Sequence, residues 1–228
     1  MATTSRPGRK LLAFDRRFGV RFVAGADEAG RGSLAGPLVT AGVLLDYERL
    51  RDHAVRPLAL LNDSKQVGPE QREELFRAVA RCATRIAVRV IPPGVIDRDG
   101  LHRSNLRGLR EALWALSPPA EACLVDGFRL GPLAPEHRAV VDGDAKSAAI
   151  AAASIVAKVV RDRAMRRLDA VYPSYDFVSH VGYITPGHSA IVRRIGPSAI
   201  HRRSFDARCY AELDDEAAEA VLAPAARA

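Results

Sequence analysis

Three short stretches set carboxylates beside glycine or beside one another: Asp27-Glu28 just before Gly30, Asp126-Gly127, and Asp142-Gly143-Asp144. Each follows an apolar run of strand type, over residues 20–27, 121–126 and 138–141. The acids are therefore expected where the carboxyl ends of strands meet loops, the edge at which open α/β sheets bind ligands. Four or five carboxylates on one edge repel one another. Divalent cations resolve that conflict, and ligation by oxygen alone suits Mg²⁺ or Mn²⁺. One Asp-Gly pair is an ordinary turn; three acidic stretches together, each with an apolar strand, ask for more than turn chemistry.

Other chemistries fit less well. Gly30-Arg31-Gly32-Ser33-Leu34-Ala35 satisfies the GxGxx(G/A) dinucleotide pattern, with Glu48 roughly twenty residues on. That pattern needs a helix next, whereas Pro37-Leu38-Val39-Thr40 reads as strand, and Asp27-Glu28 would set negative charge beside a pyrophosphate. Gly143-Asp144-Ala145-Lys146-Ser147 lacks the glycines of a phosphate-binding loop at Ala145 and Val140. No HExxH, GxSxG or Cys/His metal spacing occurs. Cys82, Cys123 and Cys209 stand far apart and read as reduced, mostly buried thiols. His53, His102, His137, His180, His188 and His201 are scattered and read as surface or structural residues, with His180 and His188 of interest because they flank Gly182-Tyr183. Trp114 reads as a core residue on an apolar helix face, and Tyr172 and Tyr175 as packing residues around Pro173.

The elements that would position the acids follow from periodicity. Residues 20–27 form a short strand stopping at the glycine-rich turn, and 37–45 a second, β-branched strand paired with it. Pro69 opens a helix that ends near Thr84, with Leu75, Phe76, Val79 and Ala80 on its apolar face. Residues 85–91 alternate with period two and stop at Pro92-Pro93. A helix is expected over 104–116 with Ser104 as its N-cap, then the buried strands 121–126 and 138–141. The longest helical pattern, 144–171, has an alanine-rich first half able to lie close against a sheet and is broken at Tyr172-Pro173. A short helix is expected over 186–195 and an alanine-rich terminal helix over 206–222. This order predicts an α/β layer around a mixed sheet.

At 228 residues, 48% hydrophobic and 27% charged, the chain can bury a substantial core, which excludes disorder throughout. Its longest apolar run, Ala148–Ala157, is half the roughly twenty residues of a spanning helix, and the four-residue LLAF stretch is too short for a secretory signal. An intracellular, cytoplasmic protein without membrane contact is expected. The net charge is +7, and only Lys10, Lys65, Lys146 and Lys158 among the 34 basic residues are lysine. Five acids against one arginine from Ala211 to Ala228 leave the basic excess on the rest of the chain, which makes a polyanionic partner plausible.

The segment from Val23 to Val43, VAGADEAGRGSLAGPLVTAGV, resembles the opening of the type 2 ribonucleases H, bacterial ribonuclease HII, with the signature D-E-x-G-R-G. The resemblance continues in order through Asn62-Asp63-Ser64-Lys65, Val125-Asp126-Gly127, Gly143-Asp144, Ala151 to Lys158 with Arg161-Asp162, Tyr172-Pro173, Gly182-Tyr183, His188 and His201-Arg202-Arg203-Ser204-Phe205. It covers roughly residues 20–205. It implies a ribonuclease H-like fold, a five-stranded mixed sheet flanked by helices with a helical C-terminal part. Residues 1–19 would be an N-terminal extension and 206–228 an alanine-rich acidic helix or tail.

Carried over residue by residue, the resemblance puts the catalytic, metal-binding acids at Asp27, Glu28, Asp126 and Asp144, with two Mn²⁺ or Mg²⁺ ions as cofactors. Asp27 and Asp126 are the candidates for bridging both ions. The Gly30-Arg31-Gly32 turn is similar to the family's ribose reader, and Tyr183 to the tyrosine that packs on the sugar just past the ribonucleotide. Lys65, Lys158, Arg161 and Arg31 are candidate phosphate contacts. The implied activity is an endoribonuclease, hydrolysing the RNA strand of RNA/DNA hybrids and cutting 5′ to ribonucleotides embedded in duplex DNA, as a monomer. A non-catalytic hybrid-binding module on the same fold is the alternative. Three departures from the family pattern stand out: Asp142 and Val181 where lysine is common, and Ser33 where proline is frequent.

Overall fold

The computed structural model describes residues 7–50, 58–61 and 67–211. Two compact units emerge: one from Met1–Ala29, Val39–Val90 and His102–Val160, the other from Gly30–Leu38, Ile91–Leu101 and Arg161–Ala228.

The first unit is built on strands β1 (Phe22–Ala29), β2 (Leu38–Asp46), β3 (Arg85–Ile91), β4 (Ala122–Asp126) and β5 (Arg138–Val140), in the order β3-β2-β1-β4-β5. β1 pairs antiparallel with β2 and parallel with β4, and β4 pairs parallel with β5, so the sheet is mixed as expected. Period-two alternation sends successive side chains to opposite faces. Val23, Val43, Leu45 and Leu124 join one core cluster, while Ala24, Ala26, Leu44 and Val125 join the other. The first face is covered by α1 (Gly8–Arg16), α2 (Pro69–Cys82) and the start of α5 (Ala148–Val171), the second by α4 (Leu101–Trp114).

Small residues set how closely these layers approach. A Cβ at Gly25 would lie 2.1 Å from the Ala149 backbone, and one at Gly42 would lie 3.0 Å from the Ala112 carbonyl. Thus β1 meets the alanine-rich start of α5 nearly backbone to backbone, as the composition of that helix suggested.

Several expectations need correction. β1 does not stop at Asp27 but runs through Glu28 to Ala29. Pro92-Pro93 ends β3 but also opens α3 (Pro93–Asp99), because a proline at the first helical position loses no intrahelical hydrogen bond. Gly100, at φ 84°, closes α3, and α4 starts at once. Ser104 is therefore no N-cap: it lies buried inside α4, its hydroxyl without a partner among the described residues. Trp114 is not core; it is 64% exposed at the end of α4 and donates its indole N–H to the Leu133 carbonyl at 3.0 Å. Residues 143–145 form a 3₁₀ turn rather than the first turn of α5. The expected N-terminal extension carries α1, whose Leu11 and Leu12 join the core; full burial of one such leucine contributes about 1.5–3 kcal/mol.

The second unit contains the loop 30–37, α3, the end of α5, α6 (Phe177–His180), α7 (Pro186–Ile195) and α8 (Arg208–Ala211). Leu34, Met165, Phe177 and Val192 form its core, and Tyr175 stacks on Phe177 with ring centroids 5.4 Å apart, the packing role expected of it. Thr185 caps α7 by accepting the His188 N–H at 3.1 Å. The 206–222 helix is seen as Arg208–Ala211; its remainder lies outside the described residues. Among the described residues no helix is long and apolar enough to cross a membrane.

Candidate active site

Asp27 and Asp126 sit one step beyond the last parallel pair of β1 and β4, Ala26 with Val125. By alternation both side chains fall on the face that α5 covers, at the carboxyl ends of adjacent strands. Asp27 is buried, and Ser154 of α5 donates a hydrogen bond to it. Its own carboxylate also accepts the Glu28 N–H at 2.7 Å, tying the two neighbouring acids together. Asp126 accepts the Gly143 N–H at 2.7 Å, which holds the 3₁₀ turn bearing buried Asp144 against the end of β4. Gly143 permits this approach: a Cβ there would meet Ile150 at 2.6 Å and the Asp126 carboxylate at 3.1 Å. The sheet edge thus gathers the acids by strand register and by main-chain bonds to the carboxylates themselves.

Burial, then the charge of Glu28 and, less strongly, that of Asp126 push the Asp27 pKa well above the usual carboxylate range, although the Ser154 bond opposes this. Such mutual repulsion is relieved by a cation, and an all-oxygen donor set fits Mg²⁺ or Mn²⁺. The carboxylates are not drawn into a closed cage: among the described residues, no group of three or more His, Cys, Asp or Glu side chains converges as metal ligands. Lys158 is partly buried on α5, one helical turn beyond Ser154 and on the same face. Asp142 is exposed, in the left-handed region at φ 50°. Lys65 lies outside the described residues.

In the second unit, the Gly30-Arg31-Gly32 turn has two glycines with different reasons. Gly30, at φ +85°, leaves no room for a side chain, since its Cβ would fall 1.9 Å from Nε of Arg161. Gly32 is exposed, and a Cβ there would meet nothing within 4 Å. Arg161 corrects the sequence reading. It is fully buried and donates to the carbonyls of Pro37 at 3.1 Å, Val181 at 2.8 Å and Ala35 at 3.1 Å, so it braces the loop from inside rather than presenting a charge to phosphate.

Tyr183 is 38% exposed, its ring 5.4 Å from the Arg161 guanidinium carbon. Its main chain is held by a histidine chain. His201 Nδ1 accepts the Ser198 N–H at 2.9 Å, which leaves the proton on Nε2 for donation to Nε2 of His188 at 3.0 Å; His188 Nδ1–H then donates to the Tyr183 carbonyl at 2.9 Å. This directionality requires both rings to be neutral. Burial accordingly pushes His188 down to about 4 and His201 to about 3. Neither Ser154, Arg202 nor the His188–His201 pair was assigned a role from sequence; for Ser154, its place in the AAASIVAK run facing the sheet was the available signal.

A five-stranded mixed sheet with helices on both faces and paired carboxylates at the ends of its central parallel strands defines the ribonuclease H class of nuclease. Comparison with known proteins refines this. The family model described as Ribonuclease HII matches residues 24–208. Ribonuclease HII of Mycobacterium avium (strain 104) is 47% identical over 189 residues, covering 83% of this chain and 80% of the relative. That of Geobacillus kaustophilus (strain HTA426) is 43% identical over 199 residues, 86% of this chain and 74% of the relative. The crystal structure of the ribonuclease H2 from Pyrococcus horikoshii OT3 superposes with a TM-score of 0.72 at 26% identity, covering 87% of this chain and 99% of that one. The chain belongs to the ribonuclease HII family, whose members are metal-dependent endoribonucleases.

Proposed function

We propose that this endoribonuclease hydrolyses the RNA strand of RNA/DNA hybrids and cuts 5′ to ribonucleotides embedded in duplex DNA, leaving 3′-hydroxyl and 5′-phosphate ends. The observation that supports the reading is Asp27 and Asp126 one step beyond the last pair of two adjacent parallel strands, with the Glu28 N–H bonded to Asp27 and the turn that bears Asp144 bonded through the Gly143 N–H to Asp126. These would hold two divalent cations, Mn²⁺ or Mg²⁺, which when bound supply the Lewis acidity that activates water and offsets charge on the phosphate. Ser154 and the Glu28 N–H orient the Asp27 carboxylate, and the Gly143 N–H orients that of Asp126. The chain itself therefore needs no nucleophile; its task is to hold oxygen donors in place.

The Gly30-Arg31-Gly32 turn reads the ribose 2′-hydroxyl, the group that separates RNA from DNA. Gly32 supports this, being exposed and free of any internal reason to lack a side chain. Tyr183 packs on the sugar that follows the ribonucleotide, Arg31, Lys65 and Lys158 contact phosphates, and Arg161 positions the loop. The enzyme acts as a monomer in the cytoplasm, with its catalytic residues within 20–205, preceded by the 1–19 segment whose α1 packs into the core and followed by the 206–228 segment.

The test is a DNA duplex carrying one ribonucleotide, incubated with the purified protein and either Mn²⁺ or Mg²⁺. A single cut 5′ to the ribonucleotide is expected. An uncut but bound duplex under both metals would make the protein a hybrid-binding module instead.

A further inference from the structure

Arg202 lies in the His201-Arg202-Arg203-Ser204-Phe205 stretch, and no step of the reaction described above uses it. It is fully buried, and its guanidinium donates to main-chain carbonyls: Nε and Nη2 to Gly36 at 3.1 and 3.0 Å, and Nη1 to Arg31 at 2.9 Å. One planar group thus ties together the two ends of the 31–36 turn. Its backbone N–H adds a bond to the Leu34 carbonyl at 2.9 Å within the same turn.

The bond to Arg31 has a geometric consequence. The Arg31–Gly32 peptide is trans, so the Arg31 C=O and the Gly32 N–H lie in one plane and point in opposite directions. With the carbonyl drawn inward to a buried guanidinium, the N–H is turned outward. Residue 32 is exposed there, space is open where a Cβ would be, and among the described residues the Gly32 N–H has no acceptor. An outward, unpartnered donor at an uncluttered glycine suits a hydroxyl oxygen of a closely approaching ligand.

We infer that Arg202 is the positioning residue of the ribose reader: by holding the Arg31 carbonyl from inside, it aims the Gly32 N–H at the 2′-oxygen of the ribonucleotide. The inference rests on the reading of the Gly30-Arg31-Gly32 turn given under the proposed function. Arg202 touches no substrate. A lysine could not replace it, because a single ammonium cannot bridge the Arg31 and Gly36 carbonyls in the plane that the guanidinium spans.

The test measures discrimination by binding, with the full chain, in Ca²⁺ in place of the catalytic metal. The probes are a duplex with one ribonucleotide and the identical all-DNA duplex, and the readout is the ratio of their dissociation constants. Arg202→Lys keeps the positive charge, so affinity for the all-DNA duplex should stay within about twofold while the ratio falls about tenfold, or about 1.4 kcal/mol. Gly32→Ala, which meets no protein atom, should lower the ratio at least as much with the melting temperature unchanged.

If Gly32→Ala removes discrimination and Arg202→Lys does not, the turn remains the ribose reader and the role of Arg202 is refuted. If both keep it, the reading of the turn itself fails. Should Arg202→Lys not fold, amide exchange in the parent decides. Gly32 is expected to exchange rapidly in the free protein and to be slowed by the ribonucleotide duplex only; protection in the free protein, or equal slowing by both duplexes, overturns the inference.

Discussion

At the sheet edge of the first unit, burial and neighbouring carboxylates raise the pKa of an acid; inside the second unit, cations are buried on neutral carbonyls. Asp27 is buried beside Glu28 and near Asp126, and its pKa rises through that burial and charge. Arg161 and Arg202 are each fully buried, and burial draws both of their pKa values down, that of Arg202 to about 9 with Arg161 contributing. They donate to the carbonyls of Arg31, Ala35, Gly36, Pro37 and Val181. The difference separates two uses of buried charge. At the edge the raised pKa of Asp27 marks a demand that a divalent cation would meet, so under the proposed function charge there does chemistry. In the loop the demand is met by the chain itself, so charge there sets shape.

The largest effect should come from removing charge at the edge. Asp27→Asn is expected to lower turnover on the order of 10³-fold or more, because several kcal/mol of transition-state stabilisation depend on the metals it holds. In EDTA the same variant should melt no lower than the parent, since a neutral side chain no longer suffers the burial penalty. Turnover near that of the parent would remove Asp27 from the site, and a clear loss of stability in EDTA would show that its charge serves the fold.

The two glycines of the turn sharpen the contrast next. Gly30→Ala must push into Arg161 at φ +85°, and should cost about 2–4 kcal/mol of stability. Gly32→Ala should stay within about 0.5 kcal/mol of the parent. Equal losses in chemical denaturation would mean that Arg161 does not set the inner wall of the turn.

The two regions should also respond to pH with opposite signs. Asp27 and buried Asp15 have raised folded pKa values, both chiefly through burial, so without metal the folded state of the first unit binds more protons and gains stability as pH falls from 7. His188 and His201 have lowered values of about 4 and about 3, so the second unit loses stability as pH falls from 6.5 toward 4. Hydrogen exchange, corrected for intrinsic rates and compared at pH 7 and 5 in EDTA, should show strand β1 more protected at pH 5 and residues 183–201 less. Changes of the same sign in both would break the comparison.

The smallest effect concerns an exposed turn. Asp142 sits at φ 50°, a conformation that glycine adopts without cost, so Asp142→Gly should raise stability by up to about 1 kcal/mol. A decrease in thermal melting would instead reveal a favourable interaction of this carboxylate.

What could be read from the sequence follows the same division. The acids were legible because each lies at or just beyond the carboxyl end of an apolar run, and alternation then puts Asp27 and Asp126 on one face. The sheet and α5 were legible for the same reason, through periodicity. Interactions that arginine makes with carbonyls leave no such trace: nothing in the spacing of Arg161 or Arg202 announces that loop carbonyls far away in sequence will consume their donors, and so Arg161 was read as a phosphate contact. Asp15 shows the same limit among acids. It is a buried carboxylate accepting the Tyr47 hydroxyl at 2.7 Å and the Ala149 N–H at 2.9 Å, partners distant along the chain. Trp114 was misplaced because its helix has an apolar face but its own ring lies at the end of that face, where the Leu133 carbonyl can take its N–H in the open.

The central claim is that the carboxylate edge cuts by way of bound divalent metal. Its most direct test is the rate of single-turnover cleavage of a one-ribonucleotide duplex across a Mn²⁺ titration, for the parent and Asp126→Asn. The parent should show no cleavage in EDTA and a rate that rises to saturation with Mn²⁺, with the cut 5′ to the ribonucleotide, while Asp126→Asn binds the duplex and leaves it whole at every concentration. Cleavage by the parent without metal, or a saturating rate for Asp126→Asn equal to that of the parent, would contradict the account.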